Sequence, residues 1–319
     1  MGEENLRPLF SVIIPLYNKF DTIERSIRSV WSQSCTNYEL IVVDDGSSDS
    51  SLTITKQLCE EKSFTLISQV NSGVSSARNK GAELAQGAFL AFLDADDVWD
   101  GDYLSELERL INKYNDAAIV ATGFYFYIGN KMYRTNYRGG ADCSAFNTVA
   151  LFQSYHTSSV AINRACFWEV GGFDPRHGYY EDIECFFKVE IKFLGRTYVS
   201  GRALSYHMND AAWAITKSCE DQQSPHLDLV EQMLSFDEGV LLKRFACRFA
   251  LYRFAYNSRH FMIDRNREFI RRYPKIGSEV LFQKVFTSTM LAFFAWFVSN
   301  IIIVVRKFLY CRIVKRVKR

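Results

Sequence analysis

Carboxylates, aromatics and amides stand where short apolar runs end. Leu40-Ile41-Val42-Val43 leads straight into Asp44-Asp45-Gly46-Ser47, and Ala88-Phe89-Leu90-Ala91-Phe92-Leu93 into Asp94-Ala95-Asp96-Asp97. Phe10-Ser11-Val12-Ile13-Ile14 leads into Pro15-Leu16-Tyr17-Asn18. In an extended segment, side chains two apart project to the same side. That spacing at Asp94 and Asp96 suits a hard divalent ion such as Mg²⁺ or Mn²⁺, which takes carboxylates, keeps water and is completed by diphosphate oxygens. Carboxylates gathered at one edge repel and resist burial, and a cation relieves both effects. Asp44 and Asp45 fit two roles, starting a turn or accepting hydrogen bonds from a nucleobase. Tyr17 fits the core or a stacking face. Arg78 reads as a surface cation or as a contact to an anionic ligand.

Alternating strands and helices must position these residues. The β-branched and apolar runs at 10–14, 40–43, 64–67 and 88–93 read as strands. Between them lie a helix capped by Asp21 with Ile23, Ile27, Val30 and Trp31 on its apolar face, a polar helix near 50–61 and a third near 75–86. Continuous apolar strands separated by helices imply an α/β fold with a mainly parallel sheet covered on both faces. Ligands of such sheets bind beyond the carboxyl ends of the strands, where the acidic runs lie. From about 117 the pattern shifts to aromatic strands, a Gly171-Gly172-Phe173-Asp174-Pro175 turn and a helix over 180–194. On that helix Glu181 shares a face with Glu184, Lys188 and Lys192, read as solvated. Asp182 lies on the face of Cys185, Phe186, Val189 and Phe193, read as packed.

The set of motifs resembles family 2 glycosyltransferases. It comprises Ser11-Val12-Ile13-Ile14-Pro15-Leu16-Tyr17-Asn18, Val42-Val43-Asp44-Asp45-Gly46-Ser47-Ser48-Asp49, Asn71-Ser72-Gly73-Val74-Ser75-Ser76-Ala77-Arg78-Asn79 and Phe92-Leu93-Asp94-Ala95-Asp96-Asp97. Gly171-Gly172-Phe173-Asp174 and Tyr180-Glu181-Asp182 follow in the same order. The resemblance covers roughly residues 8–210. It implies a GT-A fold, a nucleotide-diphospho-sugar donor, commonly a UDP-sugar, a divalent metal (Mn²⁺ or Mg²⁺) and inversion at the anomeric carbon. Carried over by position, Pro15, Tyr17 and Asp44 or Asp45 would line the base. Asp94 would sit near the ribose and the metal's water shell, Asp96 would bind the metal, and Arg78 would hold the nucleotide. His207, after a predicted strand, would complete the metal or diphosphate site, His156 would line the acceptor pocket, and His177 would lie in an acceptor loop.

The implied chemistry needs a base for the acceptor hydroxyl. Asp182, at the edge of packing, is the expected base and Glu181 an acceptor ligand, both kept ionised by the helix N-terminus.

The chain has 319 residues with 48% hydrophobic and 23% charged, a balance that excludes disorder, collagen and coiled coil as the dominant state. Its net charge of +2 is the sum of −13 over residues 1–240 and +15 over 241–319. Residues 285–305 carry no charge, and Arg306, Lys307, Arg312, Lys315, Arg316, Lys318 and Arg319 follow. This reads as a membrane-associated helix and a basic tail on anionic headgroups. A lipid is the expected anion rather than nucleic acid. The expected layout is a GT-A catalytic domain over 1–210 (nucleotide-sugar half about 8–100, acceptor half about 101–210), a helical basic region over 211–280 and the membrane segment over 281–319. Eight cysteines lack metal-binding spacing and read as buried free thiols. No secretory signal is expected, which places the body on the cytoplasmic face of the membrane. The expected acceptor is a glycan or a lipid-linked precursor. Two rival readings are a membrane-anchored carbohydrate-binding scaffold, against which both complete acidic pairs speak, and a sugar nucleotidyltransferase. The latter wants a glycine-rich loop after the first strand, where this chain has Pro15-Leu16-Tyr17-Asn18-Lys19.

Overall fold

The computed structural model describes residues 7–128, 131–134, 156–177, 181–193, 195–208 and 271. The chain divides into two units, Met1–His226 and Leu227–Arg319. All described residues except Arg271 lie in the first. The expected helical region at 211–280 (Arg271 apart), the membrane segment at 285–305 and the basic tail lie outside the described residues. Among the described residues no helix is long and apolar enough to cross a membrane.

Strand β1 (Phe10–Leu16) is buried at every position but Pro15, as befits a central strand with both faces covered. It pairs in parallel with β2 (Tyr38–Asp44) on one side and β4 (Phe89–Phe92) on the other, and β2 pairs in parallel with β3 (Thr65–Ser68). The connections are helical: α1 (Ile23–Trp31), α2 (Ser51–Glu61) and α3 (Val74–Leu84). Beyond β4 the sheet becomes mixed. Its order is β3-β2-β1-β4-β8-β6-β9-β5, where β5 is Val98–Trp99, β6 Ile119–Ile128, β8 Val160–Asn163 and β9 Thr197–His207; β7 (Lys131–Arg134) pairs with β6. Helix α4 (Tyr103–Lys113) leads into β6, and α5 (Arg164–Glu169) and α6 (Glu181–Lys192) lie between β8 and β9.

Alternate β1 residues feed two cores, following the two-residue period of a strand. Val12, Ile14 and Leu16 pack with Ile23, Ile27 and Val30 of α1 and Leu104, Leu107 and Leu110 of α4. Ile13 packs on the other face with Val43, Ala77, Ala82, Phe92, Phe167, Phe173 and Val189. Helix α3 comes close to this second face because Gly81 has no side chain: a Cβ there would lie 2.5 Å from Ile13 Cγ2. That close seating carries Arg78, one turn earlier, to the sheet edge.

Two local expectations change. Asp21 does not cap α1; Thr22 precedes it, and its hydroxyl donates to Ala95 O (2.9 Å), toward the acidic turn. Trp31 is only half-buried, tilted against Phe64 under Arg28 and Lys62. Cys35, Cys59, Cys166 and Cys185 are free thiols; the other four cysteines lie outside the described residues.

Candidate active site

The carboxyl ends of β1, β2 and β4 form one edge, with Asp44 ending β2 and Asp94 just beyond β4, on either side of β1. Strand β4 stops at Phe92, and Asp94–Asp97 is a turn closed by Asp97 N donating to Asp94 O (3.0 Å). The segment is therefore not extended, and the same-side projection expected for Asp94 and Asp96 does not hold. The two carboxylates face different cations. Arg78 Nη2 donates to Asp94 Oδ1 (2.7 Å), and Lys19 Nζ to Asp96 Oδ2 (2.6 Å). Arg25 Nη2 donates to the Asp96 carbonyl (2.9 Å).

Arg78 is 3% exposed, which excludes the surface-cation reading. Its other terminal nitrogen donates to Glu181 Oε1 (2.8 Å), so one guanidinium bridges the β4 turn to the start of α6. Beneath it lies the Phe173 ring, 5.3 Å from the guanidinium carbon. That ring is fixed by Asn79, whose amide donates to Phe173 O (2.7 Å) and whose oxygen accepts from Phe173 N (3.0 Å). Gly172, at φ +69°, permits this turn; a Cβ there would meet Asn79 Oδ1 at 2.8 Å.

Burial opposes charge on Arg78, but Asp94 and then Glu181 outweigh it and raise its pKa. Burial likewise works against ionised Asp94, and the Arg78 charge overcomes it, holding the carboxyl below the usual range. Glu181 bears the remaining cost. Burial first and the Asp182 charge second push its carboxyl up to about 7, against Arg78. Burial thus outweighs the helix terminus expected to keep Glu181 ionised. The solvated-face reading fails for Glu181 and Glu184, which are 8% and 6% exposed and pair with Arg78 and Lys188, whereas Lys192 on that face is exposed. Asp96 is raised by burial and then by Asp94 and Asp97, with Lys19 acting the other way.

Two antiparallel registers bring in what the β1–β4 half lacks. Strand β5 pairs with β9 with Val98 opposite Tyr206, which sets Asp97 beside His207. The buried Asp97 accepts from Met208 N (3.1 Å) and Ser158 Oγ (2.5 Å), and its Oδ1 lies 3.1 Å from His207 Nδ1. His156 Nδ1 is 3.5 Å from Asp97 Oδ2. Burial lowers the His207 pKa, but the Asp97 hydrogen bond and charge prevail and raise it. Strand β8 pairs with β4 with Ala161 opposite Ala91, so the 3-10 turn Thr157–Ser159 that precedes β8 abuts the acidic turn. There Asp94 N donates to Ser158 Oγ (3.1 Å), and Thr157 Oγ1 donates to Asp182 Oδ2 (2.9 Å).

Asp94, Asp96, Asp97, Arg78, Glu181, Asp182, His156 and His207 thus share one neighbourhood. Asp97, His156 and His207 present ligand atoms within 4.8 Å of one another. Carboxylate and imidazole donors suit a divalent ion, and the Lys19 ammonium shows that Asp96 can accept a cation. His207 meets Asp97 directly, rather than Asp94 or Asp96.

At the nucleotide end, Asp45 faces its own loop: Oδ1 accepts from Gln69 Nε2 (2.7 Å) and Ser72 N (2.9 Å), and Oδ2 from Gly73 N (2.9 Å). Asp44 accepts from Ser47 N (3.3 Å). Tyr17 is 48% exposed beyond Pro15, which excludes the core reading. Asn18, at φ 51°, accepts from Ser48 N (2.8 Å) and ties the β1 and β2 loops together. His177 lies apart from the site histidines in a cluster with Asp174 and Glu184, whose carboxylates already pair with Arg176 and Lys188.

Sequence reasoning missed Lys19, Asp97, Thr157 and Ser158 as partners within the site. Asp97 could have been found in the unbroken Asp-Ala-Asp-Asp run. Thr157 and Ser158 had no signal beyond their polarity between apolar segments.

The parallel half-sheet, its mixed extension and the acidic edge define a GT-A type α/β scaffold. The sequence profile of glycosyl transferase family 2 matches residues 11–174, about half of the chain, and the chain belongs to that family. It is 42% identical over 123 residues to TuaG of Bacillus subtilis, named for teichuronic acid biosynthesis, across 38% of this chain and 48% of TuaG. It is 37% identical over 107 residues to the Escherichia coli UDP-Glc:alpha-D-GlcNAc-diphosphoundecaprenol beta-1,3-glucosyltransferase WfgD, across 34% of this chain and 42% of WfgD. The chain thus spans less than half the length of these two relatives. Among solved structures, S. aureus TarS 1–349 in complex with UDP-GlcNAc superposes with a TM-score of 0.62 at 19% identity, covering 75% of this chain and 72% of that one, and shares the fold.

Proposed function

We propose that the chain is a metal-dependent, inverting glycosyltransferase that moves a sugar from a nucleotide-diphospho-sugar, a UDP-sugar first among them, to a hydroxyl of a lipid-linked or polysaccharide acceptor. The observation that carries this reading is the Arg78 bridge. It holds Asp94, on the donor edge, and Glu181, beside Asp182 on the acceptor-side helix, to one guanidinium at 2.7 and 2.8 Å. In this reading one guanidinium joins the donor-side and acceptor-side acids. The names of TuaG and WfgD point to cell-surface glycans, and the TarS complex with UDP-GlcNAc to a UDP-sugar.

Tyr17 offers its exposed face to the base, beside Pro15. Asp44 or Asp45 receives the base's N–H: Asp44 Oδ1 has Ser47 N as donor at 3.3 Å, and Asp45 Oδ2 has Gly73 N at 2.9 Å, which leaves each oxygen a lone pair. Asp96 and His207, with Asp94, Asp97 and His156 adjoining, would hold a divalent ion, Mn²⁺ or Mg²⁺. Such an ion supplies Lewis-acid neutralisation of the departing diphosphate. Asp182 accepts the acceptor's hydroxyl proton as that oxygen bonds to the anomeric carbon and the bond to diphosphate oxygen breaks. Attack opposite the leaving group inverts the centre. Glu181, bound by Arg78, orients acceptor rather than taking the proton.

A screen of UDP- and GDP-sugars with and without Mn²⁺, reading released nucleotide, tests the activity. Metal-dependent release from at least one donor is expected, and no release from any contradicts it. The +15 charge of residues 241–319 and the uncharged segment 285–305 support association with an anionic membrane on the cytoplasmic face. Protein lacking residues 285–319 should no longer sediment with anionic vesicles; continued sedimentation contradicts the anchor.

A further inference from the structure

We propose that Thr157 is a positioning residue for proton transfer, holding the Asp182 carboxylate in register with the acceptor hydroxyl. The inference rests on the reading of Asp182 as base. Thr157 is 2% exposed, and its Oγ1 donates to Asp182 Oδ2 at 2.9 Å. Asp182 Oδ1 accepts from the backbone N–H of Ile183 (2.8 Å). Each carboxylate oxygen therefore has one donor and keeps a second lone pair that can take a proton.

The donor is itself immobilised. Its turn is closed by Ser159 N donating to His156 O (2.7 Å) and by His156 N donating to Ser159 Oγ (2.8 Å). Trp99 Nε1 donates to Ser158 O (2.6 Å), and Trp99 stacks on Tyr103 with centroids 4.2 Å apart. Ser158 Oγ donates to Asp97 Oδ2 (2.5 Å) while accepting from Asp94 N (3.1 Å). Adjacent residues of one short turn thus grip the donor-side acids (Ser158) and the acceptor-side base (Thr157). A displacement of either acid is felt by the other through about 4 Å of backbone. Functional side chains held from behind by buried partners keep the narrow geometry that proton transfer requires.

The test uses the full chain and three variants: Thr157→Val, close in shape without the hydroxyl, Thr157→Ser, which restores it, and Asp182→Asn. UDP release from UDP-Glc, UDP-Gal and UDP-GlcNAc with Mn²⁺ and water as acceptor gives kcat and KM, and calorimetry gives UDP affinity. Loss of a hydrogen bond to a charged group predicts a fall in kcat of about tenfold for Thr157→Val, with KM and UDP affinity unchanged. Thr157→Ser should recover most of that loss. Undiminished kcat in Thr157→Val, a parallel loss of UDP affinity, or failure of Thr157→Ser to recover would overturn the proposal. These outcomes leave Asp182 as base provided that Asp182→Asn is inactive. Brisk turnover of Asp182→Asn would instead remove the base assignment itself.

Discussion

Asp45 and Asp94 lie on one sheet edge and are satisfied in opposite ways. Asp45 is enclosed by its own neighbourhood: the 69–73 loop supplies two backbone N–H groups and an amide, all between 2.7 and 2.9 Å. Asp94 and Asp96 lean instead on Arg78 and Lys19, and Asp182 on a hydroxyl from a different strand connection. Backbone donors shape a loop and cannot be exchanged without unfolding it. Side-chain cations and a single hydroxyl leave lone pairs open and charge that can be re-paired. The first arrangement is architecture; the second is the kind from which a reactive site is made.

The contrast predicts different failures. Asp182→Asn should lower transfer by about 10²–10⁴-fold while donor KM and melting temperature stay near wild type; steady-state kinetics beside a thermal melt would check this, and near-normal transfer would break the contrast at its reactive end. Arg78→Met leaves Asp94 and Glu181 without their shared cation and should cost about 3–5 kcal/mol of stability, measured by denaturant unfolding. A loss within 1 kcal/mol of wild type would mean that the bridge is ornamental. Asp45→Ala removes three hydrogen bonds to a charged group from the 69–73 loop and should cost about 1–3 kcal/mol, with any loss of transfer tracking the fraction unfolded.

The smallest effect concerns pH. The Glu181 carboxyl is raised in the folded chain from an ordinary value of 4.5 to about 7. A raised acid stabilises the fold fully below its unfolded value and ceases to do so above its folded one. The melting temperature of the wild type relative to Glu181→Gln should therefore fall as pH rises from about 4.5 through 7 and then level. A difference that stays flat across this window would place Glu181 in an ordinary environment.

The same contrast explains what was legible in the sequence. The β1–β4 half was readable because its signals are local: apolar runs of strand length, each followed within a few residues by turn acids. Asp45 was open between turn and base contact; its three loop bonds bear on the turn and leave Oδ2 a lone pair. The solvated reading of Glu181 came from the helical period of α6 alone, which cannot see Arg78, 103 positions earlier. The roles of Thr157 and Asp97 follow from two antiparallel pairings, β8 with β4 and β5 with β9, in a sheet whose first half is parallel. No spacing within either segment encodes that register. The histidine at 207 was expected near the metal through resemblance, and only the Val98–Tyr206 pairing reveals that Asp97 is its direct partner.

The acids at the end of β4 should bind a nucleotide diphosphate together with a divalent ion. Calorimetric titration of UDP into the wild type and into Asp96→Ala, each with Mn²⁺ and with EDTA, tests it most directly. Mn²⁺ should strengthen UDP binding to the wild type by at least about tenfold, about 1.4 kcal/mol, and Asp96→Ala should lose this gain while folding normally. Equal UDP affinity in all four titrations would contradict it.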